Sequence, residues 1–257
     1  MIRMSQLAIA PGSVSKVFLT HLHSDHVLGL PDFYLTGWIG AQGRKTPLQL
    51  WGPEGTRAMM EHLQQAFAFA FDIHMRRDVE EKFSADGIRF VATEIQQGVV
   101  YDANGVKVTA FLVDHGEVKP AFGYRVDYRG RSVVISGDTK PSDNLVKFSQ
   151  GVDLLIHEVG SRLRNDPTLS AGSREGVSGP TIAQLRAMIA HHTDPIEAGQ
   201  IFSRVQPKLA VFSHGGSSAT LAFVRQNYAG PVEVGEDPMT IDIADEIHVR
   251  RFSGSSK

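Results

Sequence analysis

The sequence of 257 residues contains no cysteine. That excludes disulfide bridges and thiolate metal sites, and leaves any bound metal to imidazole nitrogen and carboxylate oxygen. No apolar run approaches the ~18 residues needed to cross a bilayer. Met1 to Ala10 holds a short Leu-Ala-Ile-Ala but not the charged, apolar, small-residue order of a signal peptide. An excess of charge of one sign is lacking too: 26 Lys and Arg stand against 28 Asp and Glu, a formal net charge of −2. No basic field is therefore present to hold a long polyanion by counterion release. Linkers, internal repeats and low-complexity segments are absent, so the expectation is one domain over residues 1–257, with 253–257 as a frayed tail. The chain reads as cytoplasmic as given, with a periplasmic origin if residues are missing from its N-terminus.

What is present is concentrated in one stretch, Val17-Phe-Leu-Thr-His21-Leu-His23-Ser-Asp25-His26. A short apolar run ends in four residues that bind borderline divalent ions through N and O. In an extended segment alternate side chains share a face, so His21 and His23 point the same way. Asp25 and His26 follow where the chain turns, and can address a second point beside the first. The segment 32–45, with Phe33, Tyr34 and Trp38, follows closely enough to wall a pocket, with simple packing as the alternative.

Four further apolar runs end in the same way. Val108 to Val113 leads to Asp114-His115, and Ser132 to Ile135 to Ser-Gly-Asp138-Thr139. Asp153 to Ile156 leads to His157-Glu158, and Leu209 to Phe212 to Ser213-His214. Near-continuous apolar runs are the mark of strands buried on both faces, so five such strands imply a layered sheet with ligands gathered on one rim. Asn104-Gly105 and Arg129-Gly130 mark tight hairpin turns. Helices are expected from about Thr56 to Phe69, over 181–190, from Asp194 as N-cap, and over 218–228. The stretch 159–180 shows no periodicity, and a loop of that length inside a domain is usually functional or mobile.

Two metal ions roughly 3.5–4 Å apart need six or seven protein ligands, one of them a carboxylate able to bridge. The strand-end residues supply that number. His21, His23 and His115 would hold one ion, Asp25, His26 and His214 the other, and Asp138 would bridge; the chemistry expected of such a centre is hydrolysis.

His21-x-His23-x-Asp25-His26 followed by His115, Asp138 and His214 resembles the metallo-β-lactamase-fold hydrolases in ligand order. Within them it is most similar to the ribonuclease Z branch and its arylsulfatase-type and phosphodiesterase-type relatives. Pro120 to Arg125, Leu155-Ile-His157-Glu158 and His192-Thr193 support this. The resemblance implies an α/β fold, an αββα sandwich, with two divalent ions at one edge, zinc first and manganese or iron as alternatives. It implies catalytic roles for Asp25, Glu158 and His192, the last two as a pair that assists proton transfer to the leaving group, and His157 and His191 are the adjacent alternatives. It also implies a homodimer.

Two departures shape the expectation. The family begins with a strand pair ahead of the first metal motif, whereas 20 residues precede His21, so the first N-terminal strands are expected to be missing. Bacterial ribonuclease Z carries a protruding arm that grips tRNA; here Tyr124 and Asp138 are 14 positions apart, room for a hairpin alone. The expected partner is thus a small phosphodiester, sulfate ester or related ester, with neither a membrane nor extended nucleic acid. A tRNA 3′ endonuclease and a non-catalytic metal-binding protein with a vestigial site are the alternatives.

Overall fold

A computed structural model describes residues 2–68, 72–160 and 181–252. The chain forms two compact units, Met1–Gln96 and Gln97–Lys257. The expected tail 253–257 and most of the loop over 159–180 lie outside the described residues.

The first unit holds a three-stranded parallel sheet in the order β1 (Lys16–Phe18), β2 (Leu48–Gly52), β3 (Phe90–Glu94). Helix α1 (Ile2–Gln6) precedes it, and no strand precedes β1 among the described residues. The apolar run at 17–21 was expected to be a strand up to the first histidine, but β1 stops at Phe18 and the ligand-type residues lie beyond it. Helix α2 (Ser24–Val27) opens directly after His23, so Asp25 and His26 sit on one helical turn. Helix α3 (Leu30–Thr36) follows, and α4 (Thr56–Ala68) packs on β2 and β3.

The aromatic segment after the ligands proves to be core. Tyr34 and Trp38 are fully buried with Leu48, Leu50 and Met60, and Phe33 packs against the same cluster. Fully buried aromatics of this size hold several kcal/mol of apolar area out of water, about 25 cal/mol per Å². For these three aromatics the packing alternative holds.

The second unit is built on a seven-stranded sheet. Its strands are β4 (Gly98–Ala103), β5 (Val106–His115), β6 (Val118–Tyr128), β7 (Arg131–Ile135), β8 (Leu154–His157), β9 (Leu209–Phe212) and β10 (Val232–Val234), and they lie side by side in that order. β4 to β7 are antiparallel neighbours, and β7 to β10 run parallel. Two antiparallel steps separate β5 from β7, so β5, β7, β8 and β9 all point the same way. Both predicted hairpin turns are present: Asn104-Gly105 and Arg129-Gly130 each take positive φ at both residues, the primed turn that suits strand twist.

The apolar runs are buried on both faces, and the period-two alternation divides them. Val134, Leu155, Ala210 and Phe212 face a cluster with Ala198, Ile201 and Phe202 of α7 (Pro195–Val205) and Leu145 of α5 (Asp143–Phe148). Leu154, Leu209 and Val211 face the opposite way, onto Met239, Ile241, Ile247 and Val249 of the hairpin β11 (Met239–Ile243) and β12 (Ile247–Arg251). Helices α6 (Ile182–Ile189) and α8 (Ser218–Val224) complete the unit.

Candidate metal centre

Because β5, β7, β8 and β9 are co-directional, His115, Asp138, Glu158 and His214 all come at carboxyl ends of strands on one rim. Open parallel sheets place their chemistry there. The turns after the strands are tied together. Thr139 Oγ1 and the Lys140 N–H donate to the Asp114 carbonyl, at 3.4 and 2.7 Å, and the Ser136 N–H donates to Ile156 O at 2.9 Å. Val159 N–H donates to His214 O at 2.9 Å and Gly160 N–H to Thr193 O at 2.8 Å, which fixes the β8 and β9 ends against the α6–α7 connection. That connection carries His191 and His192, and it is closed by a capping box in which Asp194 and Glu197 cap α7, with Pro195 in its first turn.

Asp138, His192 and His214 each offer a ligand atom, all within 4.8 Å of one another. Asp138 is 3% exposed. Its Oδ2 lies 3.8 Å from His192 Nδ1 and its Oδ1 4.0 Å from His214 Nδ1, so its two oxygens face two imidazoles. The His192 and His214 rings stack at 5.6 Å, and His115 lies edge-on to both His191 and His192. His115 Nδ1–H donates to His191 O at 3.1 Å, which sets the tautomer with its lone pair on Nε2. Burial holds the His115 pKa below the ordinary imidazole value, partly offset by that hydrogen bond and by Asp138. A neutral imidazole is the form that binds metal.

Glu158 is 1% exposed and held at one oxygen of its carboxylate. Oε1 accepts the Thr139 and Thr193 backbone N–H groups, each at 3.0 Å, and Oε2 lies 3.3 Å from His192 Nδ1 without the angle of a hydrogen bond. The Thr193 hydroxyl donates to Thr139 O at 2.6 Å, and the Glu158 N–H donates to Ser136 Oγ at 3.0 Å. These holding residues were not singled out from the sequence. The one available signal was the hydroxyl-rich Ser136-Gly-Asp138-Thr139 run.

In the first unit, His21 is fully buried and its Nε2 lies 3.1 Å from His23 Nδ1. The His26 ring lies 4.1 Å from that of His21, and His26 Nε2 is 3.4 Å from Asp25 Oδ2. Two imidazole nitrogens on one tetrahedral zinc, each bonded at ~2.0–2.1 Å, stand about 3.3 Å apart. The His21–His23 spacing fits that, and neutral imidazoles with carboxylates are the donors such an ion takes.

His157 does not join the rim. It is fully buried with its ring against Phe202, its Nδ1–H donates to Glu158 O, and its Nε2 meets no hydrogen-bond partner. Burial lowers its pKa.

A profile described as the beta-lactamase superfamily domain matches residues 4–215, and the chain belongs to that superfamily. It is a metallo-β-lactamase-fold hydrolase of the ribonuclease Z-like kind, with the mixed α/β architecture of that fold. It is 28% identical over 258 residues to a ribonuclease Z of Mycobacterium sp. (strain KMS), covering 96% of this chain and 81% of that protein. Two solved structures share the fold. One is the metallo-beta-lactamase fold protein YhfI from Bacillus subtilis, with TM-score 0.61, 16% identity and coverage of 91% of this chain and 80% of that one. The other is the short form of human tRNase Z, with TM-score 0.58, 22% identity and coverage of 88% and 78%. Hydrolases of this fold typically work with two divalent metal ions, and His/Asp clusters of matching chemistry are present here. No described helix is long and apolar enough to cross a membrane.

Proposed function

We propose that this chain is a dinuclear metal-dependent phosphodiesterase acting on a small ester. By the ligand order of the sequence, His21, His23 and His115 would hold one ion and Asp25, His26 and His214 the other, with Asp138 shared and zinc the expected metal. When bound, such ions supply Lewis acidity and lower the pKa of water toward neutrality.

The chain's own part is proton handling, and the observation that carries it is the Glu158–His192 contact. Glu158, fixed by two backbone N–H groups, orients the His192 ring through Nδ1. Nε2 then holds the proton that the departing oxygen takes. An alkoxide or aryloxide leaves faster when protonated, and general acids contribute about 10²–10⁴-fold.

A small substrate is supported by the hairpin of β6 and β7. Tyr128 pairs with Arg131 across the two-residue Arg129-Gly130 turn, and residues 124–138 contain no inserted arm. With a net charge of −2, long polyanion binding has no electrostatic support. Hydrolysis of aryl phosphodiesters with and without chelator tests the reading, with aryl sulfates as the comparison. Activity that survives complete metal removal would overturn it.

The mycobacterial ribonuclease Z relatives favour a second reading, tRNA 3′ processing. Cleavage of a precursor tRNA at catalytic enzyme levels would promote it above the first.

A further inference from the structure

Val126 pairs with Val133 and Tyr128 with Arg131 across the hairpin of β6 and β7, so the period-two alternation sets all four on one face of it. Ile241 and Ile243 alternate in the same way on β11, and with Val133 they pack against the apolar cluster of Leu154, Leu209 and Val211. The two hairpins do not close fully on each other. Between them lies an open cavity of about 540 Å³, walled by these side chains and by the exposed Arg129. That volume is in the range of small-molecule sites, roughly 300–1,000 Å³. The cavity is at the amino end of β7, whereas Asp138 follows its carboxyl end, so the strand Arg131–Ile135 stands between the cavity and the metal rim.

The walls divide by chemistry. Val126, Val133, Ile241 and Ile243 are branched, aliphatic and half-buried, with no donor or acceptor in their side chains to orient a polar ligand. The one aromatic ring in the walls, Tyr128, is engaged by Arg129, whose guanidinium lies over it at 5.0 Å from the centroid. Aliphatic walls with that ring taken suit a flexible alkyl chain better than a flat ligand. The neighbouring charges are paired: Arg131 Nη2 is 2.5 Å from Asp245 Oδ1, and Asp242 Oδ2 is 2.8 Å from Arg250 Nη2. Arg129 meets no carboxylate among the described residues. A guanidinium stacked on a ring keeps its in-plane N–H groups directed outward, as the fork that fits a carboxylate.

We propose that this cavity binds a medium-chain acyl carboxylate, with the chain laid on Val126, Val133, Ile241 and Ile243 and the carboxylate met by Arg129. The site is separate from the metal centre, and it goes beyond the phosphodiesterase reading and stands without it.

Decanoate titrated into the full chain should shift the amide resonances of Val126, Tyr128, Arg131, Ile241 and Ile243, in metal-free and zinc-loaded protein alike. Octanoate should bind ~fourfold more weakly, because two partly covered methylenes are lost. Arg129→Asn keeps the turn, since Asn adopts the positive φ of that position (+49°) readily. It should weaken decanoate binding ~tenfold, the loss of one charge-assisted contact, and leave that of neutral decanol unchanged. Shifts confined to amides beside Asp138 and His214 would make the carboxylate a metal ligand and overturn the site. Absence of shifts, unchanged decanoate affinity in Arg129→Asn, an equal loss for decanol, or acetate bound as tightly as decanoate would each overturn it as well.

Discussion

Glu158 Oε2 lies 3.3 Å from His192 Nδ1, while Oε1 of the same carboxylate is committed to the backbone N–H groups of Thr139 and Thr193. A carboxylate fixed at one oxygen can orient an imidazole with the other. His192→Ala should leave metal content intact and lower kcat by ~10²–10⁴. The loss should be greatest for poor leaving groups, measured across aryl phosphodiesters of graded phenol pKa. Equal loss across the series would remove His192 from the role of acid.

Thr193 acts on the same pair at one remove, through its N–H on Glu158 and its hydroxyl on the Thr139 carbonyl. Thr193→Val should lower kcat ~10-fold and shift its pH profile, with KM nearly unchanged, and Thr193→Ser should restore both. A variant that loses only thermal stability, with an unaltered pH profile, would make Thr193 purely structural.

Asp138 is the one residue assigned to both ions. Asp138→Ala should therefore lose both together when metal per chain is counted by mass spectrometry. Retention of one full equivalent would show that the carboxylate does not bridge.

His157 makes stability depend on pH. Burial lowers its folded pKa, so the unfolded chain takes up the proton first, at about 6.5. Stability is intact above that value and falls as pH drops below it, by up to ~1.4 kcal/mol per pH unit, until the folded pKa is reached. Urea unfolding of His157→Leu against the wild type should show a stability difference that narrows between about pH 7.5 and pH 5.5. A difference that stays constant would contradict this.

Asp153 contributes with the opposite charge. Burial works to raise its pKa, but the Lys208 ammonium at 2.7 Å and the Ser132 donors outweigh it and hold the pKa below the ordinary carboxylate value. Its contribution is therefore present above about pH 4 and lost as pH falls through the folded pKa. Asp153→Asn should cost ~1.5–3 kcal/mol at neutral pH in urea unfolding. No loss at neutral pH, or a loss that persists fully at pH 3, would refute the assignment.

The candidate ligands were legible because strand-end chemistry is local. An apolar run followed by His or Asp marks both the element and its rim, and β5, β7, β8 and β9 appear where those runs stand. The turns at Asn104-Gly105 and Arg129-Gly130 were equally local, since φ > 0 at two successive residues selects those sequences. The Phe33, Tyr34 and Trp38 segment was ambiguous because aromatic residues serve cores and pockets alike; only packing around Leu48 and Met60 decides it. Helix α5 was missed because it is six residues long, too short for periodicity, and its Ser142 cap is its main signal. The backbone hold on Glu158 was not legible, because N–H groups of Thr139 and Thr193 leave no trace in side-chain identity, and only the hydroxyls of Ser136 and Thr139 hinted at the packing there.

The central claim is a hydrolase that needs two ions, and one titration tests it most directly. Zinc added to metal-free protein should raise the turnover of bis(para-nitrophenyl) phosphate until two equivalents per chain are bound, and then no further. A rate that is full without metal, or that never rises as both equivalents bind, would contradict the account.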